Sequence, residues 1–392
     1  MIRILRNRNF ACLFCANALL GTAFPIQLIL GGLAGLMLAP SPALATLPAA
    51  VQTLAGLLSA APFSLLMGRF GRRTGFALGA VVTFVGGVLA IQALAHEQFA
   101  LLCAAHFLMG SGWAAFQYFR FAAGEAVAPA LRPVAISLML SALLFAALLG
   151  PQLFILTRDA LAPFPLAGAY AASGAVAVLG LLPLAFLRMA RPERSLPAPV
   201  SAPQGRLAAL RRPEVRQAIG IAAVAQGLMV FLMVPTPIAM IACGFSDTMA
   251  SDVVRWHIVA MFAPSFVTGA LIQRFGARAV ALSGMSLIAV AALSASLGLT
   301  AAHFYGALIV LGLGWNLGFI GATALLEEAL SEDEKAAVQG ANDTIIALVS
   351  TIGAFASGAV MSGFGWAALA VISMGLALLA VLVLTIRRAA RA

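Results

Sequence analysis

Charge is what this chain has least of. Only 9% of its 392 residues are Asp, Glu, Lys or Arg, while 62% are apolar. The mean hydropathy is +1.04. A soluble domain carries about 25% charged residues, and no soluble fold of this length buries so much apolar surface. The shortage excludes water as the solvent for most of the chain and leaves lipid. The alternating apolar and polar pattern of a membrane strand is also missing. Long continuous apolar runs take its place, and these read as helices.

Other absences narrow the function. There is no Gly-rich loop followed by Lys-Ser/Thr, so ATP-driven transport has no phosphate cradle. No nucleophile stands with a base in an arrangement that suggests an enzyme. Cysteine is limited to Cys12, Cys15, Cys103 and Cys243, all in or beside apolar runs, which argues against a secreted disulfide framework. The net charge of +10 would suit nucleic acid. The arginines, however, stand in short loops between apolar runs, where the positive-inside rule accounts for them. The expected partner is therefore the lipid bilayer and not nucleic acid.

Apolar runs long enough to cross a bilayer fall near residues 10–37, 43–67, 75–95, 99–123, 133–157 and 164–188. Six more fall near 215–242, 249–272, 279–299, 302–326, 336–361 and 366–386. The basic start leads into a run too long for a cleaved signal peptide, so it reads as the first span. One long polar, Pro-rich and basic linker, 190–213, divides an N-terminal half, 1–189, from a C-terminal half, 214–392. The Arg clusters fall on one side if both termini are cytoplasmic. The halves repeat. Arg69-Phe70-Gly71 returns as Arg274-Phe275-Gly276, 205 residues on, and Gly110-Ser111-Gly112-Trp113 returns as Gly312-Leu313-Gly314-Trp315, 202 residues on. Parallel repeats of this kind place a cargo site near the midplane. The expected fold is an all-α membrane protein with twelve transmembrane helices in two six-helix halves.

The Gly-Arg loop after spans 2 and 8 resembles the loop signature of the major facilitator superfamily, with Gly68 and Gln273 where the family's acidic residue stands. That resemblance implies a secondary transporter working by alternating access.

Two patterns bear on cargo. Span 7 holds Met229 and Met233, and span 8 holds His257 and Met261. Residues four apart share a helix face, so each pair presents two donors to one point. Thioethers and imidazole suit copper. Packed apolar filler is the competing reading, although chance alone supplies roughly 0.5 Met pairs and roughly 0.14 His-to-Met pairs at that spacing. The combined pattern is similar to the signature of CcoA-like copper importers. This resemblance implies copper as transported substrate, no bound cofactor, and a bacterial inner membrane location. It further implies supply of cbb3-type cytochrome oxidase assembly, with a cytoplasmic copper chaperone as a candidate partner. A related branch of riboflavin transporters (RfnT-like) carries similar motifs. The alternative is thus uptake of an organic solute such as riboflavin, contacted by Trp113, Gln117, Tyr118, Arg120, Trp315 and Asn316. A non-transporting scaffold is a third reading, opposed by the charges inside spans.

Cys12 with Cys15, the stripe Cys103, His106 and Met109, and Cys243 form a candidate secondary metal relay, each with buried packing as its alternative. Arg120, Arg255 and Asp343 lie within spans, where charge is costly unless it faces a cavity or partner. A pair of Arg120 or Arg255 with Asp343 is the candidate gate or coupling element.

Overall fold

The computed structural model describes residues 6–128, 131–189 and 207–389. Among these residues every regular element is helical. Backbone groups in lipid must be satisfied within their own segment, which selects helices from such apolar runs. The chain divides into two compact units, Met1–Ser195 and Leu196–Ala392. Most of the expected linker, 190–213, lies outside the described residues.

In the first unit, α1 is Arg8–Leu38, α2 Leu47–Phe70, α3 Arg72–Ala95, α4 Phe99–Phe116 and α5 Phe119–Glu125; α6 is Arg132–Thr157, α7 Ala167–Leu179 and α8 Leu181–Ala185. Spans 4 and 6 are therefore broken, as α4–α5 and α7–α8. In the second unit, α9 is Pro213–Met233, α10 Thr236–Ala242, α11 Asp247–Phe262, α12 Ser265–Phe275, α13 Ala277–Leu297, α14 Ala301–Glu328 and α15 Glu332–Ala389. Spans 7 and 8 are α9–α10 and α11–α12, the latter bent by 41°. Non-helical Gly365, at φ 78°, breaks α15 into spans 11 and 12. Nine helices among the described residues pass a length and hydropathy test for crossing a membrane. The bent α11–α12 pair, the shorter apolar stretch in α6 and the second arm of α15 complete the twelve.

The two units repeat the same packing. Span 4 packs on spans 2 and 3, span 5 on span 1, and span 6 on span 3; likewise span 10 packs on 8 and 9, span 11 on 7, and span 12 on 9. Glycine sets the closest approaches. A Cβ at Gly110 would strike the Gln52 carbonyl, and one at Gly312 would strike the His257 carbonyl. Gly112 and Gly314 lie in the same way against the carbonyls of Gly79 and Gly284. Small residues let membrane helices gain contact where lipid offers no hydrophobic drive. The repeated loop keeps its backbone too: Gly71 has φ 91° and ψ 158°, and Gly276 has φ 83° and ψ 151°.

Candidate functional site

His257 is fully buried on α11. Its Nδ1 lies 2.7 Å from the Leu308 carbonyl oxygen on α14. A carbonyl only accepts, so Nδ1 carries the proton and Nε2 keeps its lone pair. That Nε2 has no hydrogen-bond partner among the described residues. Met261 is buried one turn further on, and Met229 and Met233 are buried on α9. Both α9 and α11 pack along α14. Spans 7 and 8 meet chiefly through α10, beyond Met233, and not along α9. The two helices that carry the methionine and histidine pairs therefore share α14 as a neighbour.

The equivalent level of the first unit is closed. The Tyr170 hydroxyl lies 2.8 Å from His106 Nε2, and His106 Nδ1 lies 2.8 Å from Gln52 Oε1. Gln52 Nε2 donates to Gln27 Oε1 at 3.1 Å, and Gln27 Nε2 donates to Ser173 Oγ at 3.0 Å. The Gln52 oxygen fixes the proton on Nδ1, so the tyrosine hydroxyl donates to Nε2. All five side chains are buried, and they join α1, α2, α4 and α7. Both nitrogens of His106 are therefore occupied, which leaves it no lone pair for a metal relay. Met109 packs against Gly86, and Cys103 is half-buried. Cys12 packs on the core around Phe10 and Phe76, while Cys15 and Cys243 are exposed. The four thiols are unlinked.

The intramembrane charges have local settings. Arg255 pairs with Asp252, one turn earlier on α11, and the Tyr305 hydroxyl on α14 donates to Asp252 at 2.6 Å. Arg120 lies over the Phe121 ring at 4.8 Å. Asp343 accepts from the Asn342 amide at 3.3 Å. A recess of about 40 Å³ is lined by Asn17, Trp113, Gln117, Arg120, Met139 and neighbouring side chains, with Trp113 stacked on Phe24 at 4.1 Å. Tyr118 turns elsewhere, donating to the Ala60 carbonyl beside Arg72. Trp315 donates to Gln226 at 2.7 Å and stacks on Phe319. Asn316 is committed at the span 8 bend: its amide nitrogen reaches the Met261 carbonyl and Ser265, and its oxygen accepts from Thr268.

The ends toward the Gly-Arg loops hold a second recess, about 540 Å³, lined in part by Asn9, Arg72, Glu125 and Arg188. Arg72 grips Glu125 through two nitrogens, at 2.6 and 3.2 Å. In the second unit Arg212 holds Glu334 at 2.6 Å. Bonds from Ser331, followed by the Arg212 guanidinium, hold the Glu334 carboxyl below its usual range.

Sequence reading found His257, Met261, Trp113, Gln117 and Arg120 but missed Gln27, Gln52, Tyr170, Ser173, Asn17, Asp252 and Tyr305. Their signal was present: each is a polar interruption of an apolar run.

The chain is 38% identical over 364 residues to "Riboflavin transporter RfnT" of Brucella anthropi, covering 92% of this chain and 90% of that one. It is 31% identical over 377 residues to the uncharacterized MFS-type transporter YdeG of Bacillus subtilis, covering 92% and 87%. In structure it is similar to human organic anion transporter MFSD10, with TM-score 0.68 at 17% identity over 96% of this chain and 99% of that one. It is also similar to the fucose transporter FucP in its outward conformation, with TM-score 0.63 at 17% identity over 98% of both. The Major Facilitator Superfamily model matches residues 218–392. A repeated six-helix packing, a paired Gly-Arg loop and near full-length relatives converge: this chain is a multi-pass membrane transporter, not an enzyme, and belongs to the major facilitator superfamily.

Proposed function

We propose that the protein takes up riboflavin or a close flavin relative across a bacterial cytoplasmic membrane. The observation that carries this reading is the 38% identity to a riboflavin transporter along 92% of the chain. The recess of the N-terminal half is chemically compatible with it. Trp113 offers an aromatic ring for a heteroaromatic cargo, and Gln117 and Arg120 line the same recess with groups that bond carbonyl and hydroxyl oxygens. At about 40 Å³ the recess takes one polar edge of a cargo and not a whole tricyclic ring. The test is uptake of radiolabelled riboflavin by a riboflavin-requiring bacterium that lacks its own importer. Expression of the wild type should restore uptake, and Trp113→Ala or Arg120→Ala should lower it about tenfold or more at equal protein level. A well-inserted wild type that moves no riboflavin would overturn the proposal.

One observation favours copper import as a second reading: an imidazole lone pair left open at His257, with the Met261 thioether one turn away. Soft donors of this kind select Cu(I). Met229 and Met233 would complete the set, and oxidase assembly, through a cytoplasmic chaperone, would receive the ion. Radioactive copper uptake that disappears in His257→Ala would support this reading. Equal uptake by the two proteins would remove it.

A further inference from the structure

Gln52 and His257 hold the same position in the two repeats. They are 205 residues apart, the interval that separates Gly71 from Gly276. The contacts agree, because Gly110 lies against the Gln52 carbonyl and Gly312 against the His257 carbonyl. Across each interface the hydrogen-bond partner is also equivalent: His106 in the first unit, and Leu308, 202 residues on, in the second. The histidine has therefore changed sides. On α4 it lies within a network where Gln52, Tyr170, Gln27 and Ser173 use its ring nitrogens and one another. On α11 it spends Nδ1 on a backbone carbonyl and leaves Nε2 facing no donor among the described residues.

A buried acceptor without a donor is costly, and side chains rarely keep one without a ligand or water to fill it. The first unit shows that this level of the scaffold can be fully satisfied by protein side chains alone. The second unit, with Leu308 in place of a polar side chain, forgoes that option. We infer that His257 Nε2 is a cargo-binding acceptor, taking a hydrogen bond from an N–H group of the transported molecule, while the matching position Gln52 is sealed and touches no cargo. Resting on the flavin reading above, the donor is the imide N–H of the isoalloxazine ring, a neutral donor suited to a neutral imidazole. A site built to bond such a group discriminates strongly against an analogue that lacks it.

The test uses the purified full chain in lipid nanodiscs. Quenching of intrinsic flavin fluorescence reports affinity for riboflavin and for 3-methylriboflavin, in which the imide hydrogen is replaced. Wild type should bind riboflavin at least about tenfold more tightly than the methyl analogue. His257→Leu should weaken riboflavin by a similar factor and bind the two flavins equally. His257→Gln, which restores an acceptor, should regain part of the preference and guards against a misfolded leucine variant. Gln52→Leu should keep the full preference. Wild type that binds both flavins equally, or a His257→Leu protein that still prefers riboflavin, overturns the inference while leaving flavin transport standing. Wild type that binds no flavin but binds Cu(I) through His257 overturns both.

Discussion

His106 and His257 carry the same imidazole into lipid with opposite fates. The first is saturated by side chains, and the second is half open. Hydrogen bonds between membrane helices average about 0.6 kcal/mol and reach about 1.7, and a buried group orphaned by mutation costs about 1–3 kcal/mol. Gln52→Leu strands His106 Nδ1 and the Gln27 oxygen at once. It should lower unfolding stability by about 1–3 kcal/mol, read as an earlier melting transition in detergent. Gln52→Leu combined with His106→Leu should cost less than the two singles added together, because they break a shared bond. At this scale the sequence was partly legible. Spacing put His257 and Met261 on one face, and cost in lipid marked Arg120, Arg255 and Asp343 as significant. It could not tell that one histidine is occupied and the other open. That depends on whether the facing helix presents a side chain such as Tyr170 or only the backbone of Leu308. Asn316 misled for the same reason. It is a polar residue beside a tryptophan, but its donors and its acceptor are committed at the bend.

The helices were the most legible part of the chain, since apolar runs define them. Expected spans such as 99–123 and 302–326 differ by only a few residues from α4–α5 and α14. The breaks were not legible. Pro235 and Pro264 stand at interruptions, yet Pro25, Pro62 and Pro151 lie inside continuous helices. A proline removes one donor wherever it falls, and neighbouring helices decide whether the chain bends there. Glycine roles separate in the same way. Gly276 has a positive φ with an extended ψ and open space around it, so Gly276→Ala should cost about 1–3 kcal/mol from backbone strain alone. A Cβ at Gly312 meets the backbone of His257 and Met261. Gly312→Ala should therefore part α11 from α14, and its loss of folded yield and transport should exceed that of Gly276→Ala, measured side by side. At the start of α15, the Glu334 carboxyl is held below its usual range, so its contribution is full above the unfolded carboxylate range and is lost as pH falls through the lowered folded value. Glu334→Gln should flatten that acid-side part of the stability profile and leave the neutral side of the curve unchanged in shape.

For the molecule as a whole, scarcity of charge announced the membrane and the paired Gly-Arg loops announced the duplication. The packing repeats within each unit: span 4 lies on spans 2 and 3 in the first, and span 10 on spans 8 and 9 in the second. The arginine clusters predict that both termini are cytoplasmic. Cysteine placed at Asp159, in the short loop after α6, should react with a membrane-impermeant maleimide in intact cells. Cysteine placed at Glu328, at the end of α14, should react only after permeabilisation. The reverse pattern would invert the topology. The network around His106 has a mechanical consequence as well. Its five side chains act as a truss across α1, α2, α4 and α7, so load applied to one of these helices is shared by the other three. Pulled from the membrane by its N-terminus, the chain should yield in small steps as far as Gln27, as Asn9 leaves Arg188 and Asn17 leaves the Met139 carbonyl. There it should stall and then release α2, α4 and α7 together in one larger step, a force signature that Gln52→Leu should erase.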